Sequence, residues 1–415
     1  MGLGRDGCQK IANDIFGKMP FEMLVGNNER HTMKPTLSIS ANATPGIGGQ
    51  GLNFQHMLEV FAADFDVSAF GAGLRSDDRG CVIPPSFIAE KIGRIPLVRR
   101  LRDWQHYFSE TAFDAGVARK LARTDLFQGV AGQCLRSLQR AKELKARTVV
   151  DAVNPHAEFF YRELAIECAH FGIRTPLSRN VAEKTTVEYE TCDVIRVMSR
   201  FAMQTFVERG VSPEKIVVAH PPIQIETFPQ ATFSESVFRV AFVGLIEPWK
   251  GFHYLVDAFN AMREPDRELV FWGGTGNRRI ADYFDYHMRQ NPRIKIRSES
   301  VRGAGFNEVY GKASVLVLPS LAEGFGLVAG EAMASGIPVI VTSCTGAADL
   351  VEEGVNGYVV PVRDSGSILD RLNLLATSPG TLKAMGRAAA ERVKTLTLTS
   401  FKSSLVPRIK DLLNH

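Results

Sequence analysis

No apolar run in this 415-residue chain approaches the eighteen or so residues needed to cross a bilayer, which argues against a membrane-spanning helix. The first residues include Gly, Asp and Gln and read as lacking the apolar middle of a signal peptide. Cysteine is scarce and scattered: six residues, at 8, 81, 134, 168, 192 and 344, form no CxxC pair and no metal spacing. A disulfide framework and a zinc module are both excluded by that pattern, which suits thiols buried as small hydrophobes in a reducing cytoplasm. Neither sign of charge dominates. A net charge of +4 and a pI near 8.7 are too mild to argue for nucleic acid. Paired aspartates with metal spacing are also missing: Asp64-Phe65-Asp66 reads as the entry to a strand and Asp77-Asp78 as a loop. No short repeat or low-complexity segment appears.

What is present is ordinary globular material, 45% hydrophobic and 23% charged, in a chain long enough for two domains. Residues 1–34 read as an N-terminal extension with one short amphipathic helix around Cys8–Phe16. A domain over 35–230 opens on the alternating strand Thr36–Ser40, followed by a Gly-rich turn over 42–51 and a helical stripe of Leu52, Phe54, Leu58 and Phe61. Asp66–Phe70, Thr148–Val153 and Asp193–Val197 are its further strands. Residues 221–229 have a linker's composition. Over 231–395, short strands alternate with helices, the pattern of a doubly wound parallel sheet. The last stretch, 396–415, is expected to be a helix returning to the first domain.

The most informative stretch is Glu323-Gly324-Phe325-Gly326-Leu327-Val328-Ala329-Gly330-Glu331, after the apolar run Ser314–Ser320. The run reads as a buried parallel strand, and a helix is expected to begin near Leu327 and end at Gly336. A helix N-terminus at the carboxyl edge of a parallel sheet favours phosphate, through free amides and the helix dipole. Glu331, one turn inside that helix, is better placed to accept from hydroxyls than to face phosphate. Phosphate and hydroxyls together point to a nucleotide sugar. The structural alternative, a Glu that merely stabilises a helix start, does not explain Gly-Phe-Gly and a second Glu at the same strand end.

The Glu323/Glu331 pair around Gly-Phe-Gly resembles the Glu-x7-Glu signature of family 4 of the retaining glycosyltransferases (group 1 glycosyltransferases), which have the GT-B fold. Lys250-Gly251, after the strand Phe238–Gly244, resembles that family's phosphate-binding lysine. Thr345–Leu350 and Asn356–Val360 resemble its next two elements, so the likeness spans roughly Val237 to Ala376. It implies an α/β fold of two Rossmann-like domains facing a central cleft. The N-domain would hold the acceptor and the C-domain the nucleoside-diphosphate sugar, with neither cofactor nor metal. By the same resemblance Glu331 binds ribose, Glu323 contacts the transferred sugar, and the backbone at Gly324, Phe325, Gly326 and Leu327 meets the diphosphate. Lys250 would stabilise the departing diphosphate, whose charge grows in the transition state.

Gly46, Gly48 and Gly49 resemble the Gly-Gly loop that faces the donor across the cleft, and Gly244 and Gly274, which end the first two strands of the C-domain, are expected by the same resemblance to line the donor site. His156, after Asp151–Pro155, falls in a segment resembling the family's acceptor-side histidine motif. Two departures stand out: Leu245 occupies the place of a usual arginine, and Trp249 that of a basic residue in some relatives. Residues 88–104 mix apolar and basic side chains; this is read first as a solvated face and second as a peripheral contact with anionic membrane. The expected activity is transfer of a hexosyl group to a glycan, lipid-linked or small-molecule acceptor in the cytoplasm, with no part for nucleic acid. The competing readings are a nucleotide-sugar epimerase on the same scaffold and a binding protein that has lost its chemistry, for which Leu245 is the hint. Sugar, base and acceptor are not legible in the sequence.

Overall fold

The computed structural model describes residues 34–74, 80–83, 102–233, 237–298 and 304–414. The helix expected at Cys8–Phe16, the Asp77-Asp78 pair and the basic segment up to residue 101 lie outside the described residues.

The first half alternates strands and helices from its start: β1 (Thr36–Ala41), α1 (Gly48–Phe61), β2 (Asp66–Gly71), β3 (Gly80–Val82), α2 (Arg102–Lys120), β4 (Leu126–Val130) and α3 (Leu135–Glu143). It continues through β5 (Arg147–Ala152), α4 (Ala157–His170), α5 (Arg179–Thr191), β6 (Val194–Val197), α6 (Arg200–Val207) and β7 (Ile216–Val218). These seven strands form one parallel sheet in the order β3-β2-β1-β4-β5-β6-β7. Both faces are covered by helices, so the central strands carry apolar side chains on each side, as a parallel sheet requires.

The second half repeats the plan. Its elements are β8 (Phe238–Val243), α7 (Phe252–Ala261), β9 (Arg267–Trp272), α8 (Arg278–Gln290), β10 (Ile294–Arg297), α9 (Ala304–Val309) and β11 (Val315–Leu318). Then follow α10 (Leu327–Ala334), β12 (Val339–Thr342), β13 (Gly357–Val360), α11 (Ser365–Ala376) and α12 (Pro379–Val393). The six strands are parallel in the order β10-β9-β8-β11-β12-β13. The stripe Phe252, Leu255 and Phe259 on α7, with Met262 just past its end, is buried in one cluster with Phe242 and Phe271 of the sheet. Each fully buried Phe contributes about 1.5–3 kcal/mol by leaving water.

The last helix, α13 (Leu398–Asp411), is opened by a capping box of Thr397 and Ser400. Its Phe401, Leu405, Val406 and Ile409 join the apolar cluster of Leu37, Phe54, Phe61 and Val149, in the first half. The chain therefore crosses between the halves twice. The crossings run side by side, with the Ile223 amide donating to the Leu396 carbonyl at 2.8 Å. Under α13 lies a buried charged network. Arg196, 0% exposed, donates to Asp151 at 2.8 Å, to Asn53 at 2.9 Å and to the Ala219 carbonyl at 2.9 Å, and lies over the Phe401 ring. Burial beside that guanidinium pushes His56 down to about 4, so the ring is neutral near pH 7.

In each sheet the strand order reverses once, between β1 and β4 and between β8 and β11. The crevice outside the carboxyl ends of the strands at such a reversal is where ligands bind in open α/β sheets.

Candidate active site

The turn after β11 is shaped by glycines that no other residue could replace without movement. A Cβ on Gly324 would stand 2.0 Å from the Val153 carbonyl oxygen, where the first half's β5 exit meets the turn. Gly326 has φ of 86° and would set a Cβ 2.6 Å from Leu318. That left-handed residue is the N-cap of α10, with no side chain capping the helix and no acid in its first turn. The first amides of a helix have no intrahelical acceptor, so this end can accept an anion. The contrast with α3 is instructive. There Glu188 accepts from the amides of Gly132, Cys134 and Leu135, and Asp114 from those of Arg136 and Ser137. The protein's own carboxylates fill that helix end; α10 is left open.

Glu323 is held by its backbone. Its amide donates to Cys344 and its carbonyl accepts from Gly346, both at 3.0 Å. Its side chain forms an ion pair with Lys250. Lys250 ends the tight turn Pro248–Lys250, which is pinned to the β11 exit by the Leu321 amide donating to Trp249 at 2.8 Å. Gly251, with φ of 68°, allows that contact, since a Cβ would lie 2.1 Å from the Pro319 carbonyl oxygen. The chain thus brings Lys250 and Glu323, 73 residues apart, together beside the opening of α10. Glu331 lies on the second turn of α10 and accepts a 2.5 Å hydrogen bond from the Tyr310 hydroxyl. Burial raises its carboxyl above the ordinary range, against the opposing pull of that bond.

Gly244, with φ of 133°, and Gly274 have open space where a Cβ would point, as do Gly48 and Gly49 at the start of α1. The turns after β8 and β9 interlock: the Ile246 amide donates to Gly274 at 3.0 Å, and a Cβ on Gly273 would collide with the Gly244 carbonyl. Leu245 is 51% exposed beside them, so the place of the family's arginine is taken by an apolar side chain on the surface.

His156 is placed differently from the expectation of an acceptor-side role. It is the N-cap of α4, 3% exposed, its Nδ1 accepting from the Glu158 amide at 3.3 Å. Its ring sits between Tyr189 and Phe206, at 5.2 and 5.0 Å. Burial, helped by Arg209, lowers it to about 4. Helix capping and ring packing account for this neutral, enclosed side chain. Two participants had no sequence signal. Tyr310 meets Glu331 only through folding. Ser199 donates to the Gly324 carbonyl at 2.8 Å and joins the two halves at the site itself.

Among the described residues no group of three or more His, Cys, Asp or Glu side chains is arranged to hold a metal ion. No described helix is long and apolar enough to cross a membrane.

Comparison with known proteins bears on the family and the fold. Residues 237–378 match the family model described as glycosyl transferases group 1. A D-inositol 3-phosphate glycosyltransferase of Kribbella flavida is 32% identical over 206 residues, 45% of this chain and 48% of that protein. The capsular polysaccharide biosynthesis glycosyltransferase CapM of Staphylococcus aureus is 30% identical over 160 residues, 38% of this chain and 41% of that protein. The chain thus spans about half the length, or less, of these two relatives. Solved structures extend the likeness in fold. HepE of Anabaena, crystallised with UDP, aligns over 91% of this chain and 100% of its own with a TM-score of 0.67 at 15% identity. The sucrose-phosphate synthase of Thermosynechococcus elongatus aligns over 92% and 100%, with a TM-score of 0.68 at 19% identity. Residues 237–378 carry a group 1 glycosyltransferase domain, and the chain has the two-sheet GT-B fold.

Proposed function

We propose that the chain is a retaining glycosyltransferase that moves a hexosyl group from a nucleoside-diphosphate sugar to an acceptor bound against the first half. The observation that carries this reading is the meeting of three chemistries where the second sheet reverses: an uncapped helix N-terminus, the cation Lys250, and the carboxylates Glu323 and Glu331. The diphosphate lies along the Gly324–Leu327 backbone. Glu331 accepts from the ribose hydroxyls, and Glu323 from the transferred sugar.

Bond breaking moves negative charge onto the diphosphate. Lys250 and the α10 amides are fixed before reaction, so they stabilise that charge without reorganising. Lys250 leaves its ion pair with Glu323 to meet the phosphate, freeing Glu323 for the sugar. The open glycines Gly48 and Gly49 let the first half approach the donor closely, and contact between the halves excludes water. Because helix end and lysine meet the phosphate charge, we propose that no metal or cofactor is needed, and turnover should survive EDTA. Acceptors fitting this reading are glycans, lipid-linked chains and small molecules. A peripheral membrane contact through residues 88–104 belongs to the same proposal and rests on sequence alone.

The test is a donor panel of UDP-, GDP- and ADP-hexoses with a mixed acceptor set, reading released nucleotide and the anomer of the product. A glycoside of unchanged anomeric configuration supports the reading. An epimerised nucleotide sugar, or no donor affinity at all, overturns it.

A further inference from the structure

Tyr310 follows α9 and is 0% exposed. Its ring is held by Phe228 of the first crossing, at 5.8 Å, and by Phe306, at 6.0 Å. A tyrosine so packed has little rotational freedom, and its hydroxyl reaches one acceptor, Glu331 Oε2 at 2.5 Å. Among the described residues this is the one side-chain hydrogen bond that the Glu331 carboxylate receives. An ionised carboxylate offers about four acceptor sites, and this half-buried one meets a single side-chain donor, so most of its accepting capacity is left for a ligand or solvent. The open capacity lies one turn from the anion-binding end of α10, where a vicinal diol would bring two hydroxyl donors.

We infer that Tyr310 is a positioning residue for the nucleotide: it anchors one oxygen of Glu331 and so presents the other to the ribose diol. This rests on the donor site proposed above. Tyr310 does not touch the ligand; it acts by fixing the direction of the carboxylate and by keeping it ionised. The second effect has a sign. The tyrosine bond favours the charged form, so losing it raises the proton affinity of Glu331, and nucleotide binding should then fail at a higher pH.

The experiment uses the full chain and isothermal titration with UDP, GDP and ADP, followed by a pH series from about 5.5 to 8 on the tightest binder. Tyr310→Phe should weaken that nucleotide about tenfold at neutral pH, near the size of one lost hydrogen bond to a charged group. The acid-side fall in affinity should move to higher pH. A 2′-deoxy nucleotide should bind the wild type more weakly and should lose little more on Tyr310→Phe. In a Glu331→Gln background, Tyr310→Phe should add nothing. Replacement of Tyr310 by 3-fluorotyrosine, isosteric and a stronger donor, should shift the acid-side fall to lower pH and keeps the test alive if the Phe variant folds poorly. If Glu331→Gln weakens binding while both Tyr310 replacements leave affinity and pH profile unchanged, the inference is overturned and the donor site stands. If no nucleotide binds the wild type, or Glu331→Gln binds normally, the donor site itself is wrong.

Discussion

At the scale of single residues, the site divides into side chains with chemistry and glycines with shape. Lys250→Ala removes the cation that meets the growing phosphate charge, so kcat should fall by about 10²–10³ while donor affinity changes less; steady-state kinetics with the active donor checks this. Glu331→Ala should instead abolish measurable donor binding by calorimetry. Full activity in both variants would reject these roles. Gly326→Ala forces a left-handed alanine against Leu318 and should cost about 1–3 kcal/mol, read as a lower denaturant midpoint, even if the turn still forms. Residue types and spacing made the Glu323/Glu331 turn visible in the sequence because strand, glycines and helix are contiguous there. Tyr310 and Ser199 were invisible for the converse reason: their partners lie 21 and 125 positions away. His156 is a position whose part the sequence leaves open. A histidine after a strand can face a cleft or cap the next helix, and only the packing of Tyr189 and Phe206 decides.

At the scale of elements, helices with an unbroken apolar stripe and strands with unbroken apolar runs were legible, and interrupted ones were not. The run at β11 and the stripe on α7 announce themselves, and α10 starts at Leu327 as its sequence predicts. The central strand β4, by contrast, reads Leu-Phe-Gln-Gly-Val. Gln128 and Gly129 break its apolar pattern, yet it lies at the reversal of the first sheet, where the residue after Phe127 is a buried amide. Gly129 is needed there because a Cβ would stand 2.4 Å from the Cys134 side chain. The helix α13 packs on the first half, and Phe401 is now the residue to test. Phe401→Ala empties a pocket over Arg196 and should destabilise the first half by about 3–5 kcal/mol, visible as a fall in melting temperature with the second half less affected.

At the scale of the whole molecule, helices and loops of the two halves meet along a seam that includes polar contacts. Arg363 after β13 reaches Glu163 and Glu167 of α4, at 2.8 and 2.7 Å, and His253 approaches Glu167 at 3.1 Å. Nearer the site, Asp349 accepts from the Arg200 amide at 2.7 Å and pairs with His220 at 2.9 Å. These contacts help to set the halves in the arrangement described, and opening must break them. Arg363→Ala removes the cation shared by Glu163 and Glu167 and should populate wider separations of the halves, measured as an increased radius of gyration in small-angle scattering. Acid should act in the same direction. Burial opposes it, but His253 and Arg363 together hold Glu167 below its ordinary range, so its contribution is present above the usual carboxylate pKa and is lost as pH falls through the depressed one.

The course of the chain has one more consequence. Residues 237–393 leave the first half after β7 and return before α13, so the second half is a guest inserted into its host, entering and leaving through neighbouring doors. Genetic excision of the guest, with 220 spliced to 397 through a few glycines, asks nothing of the host's sheet, whereas trimming the last eighteen residues would strip the host of its own roof.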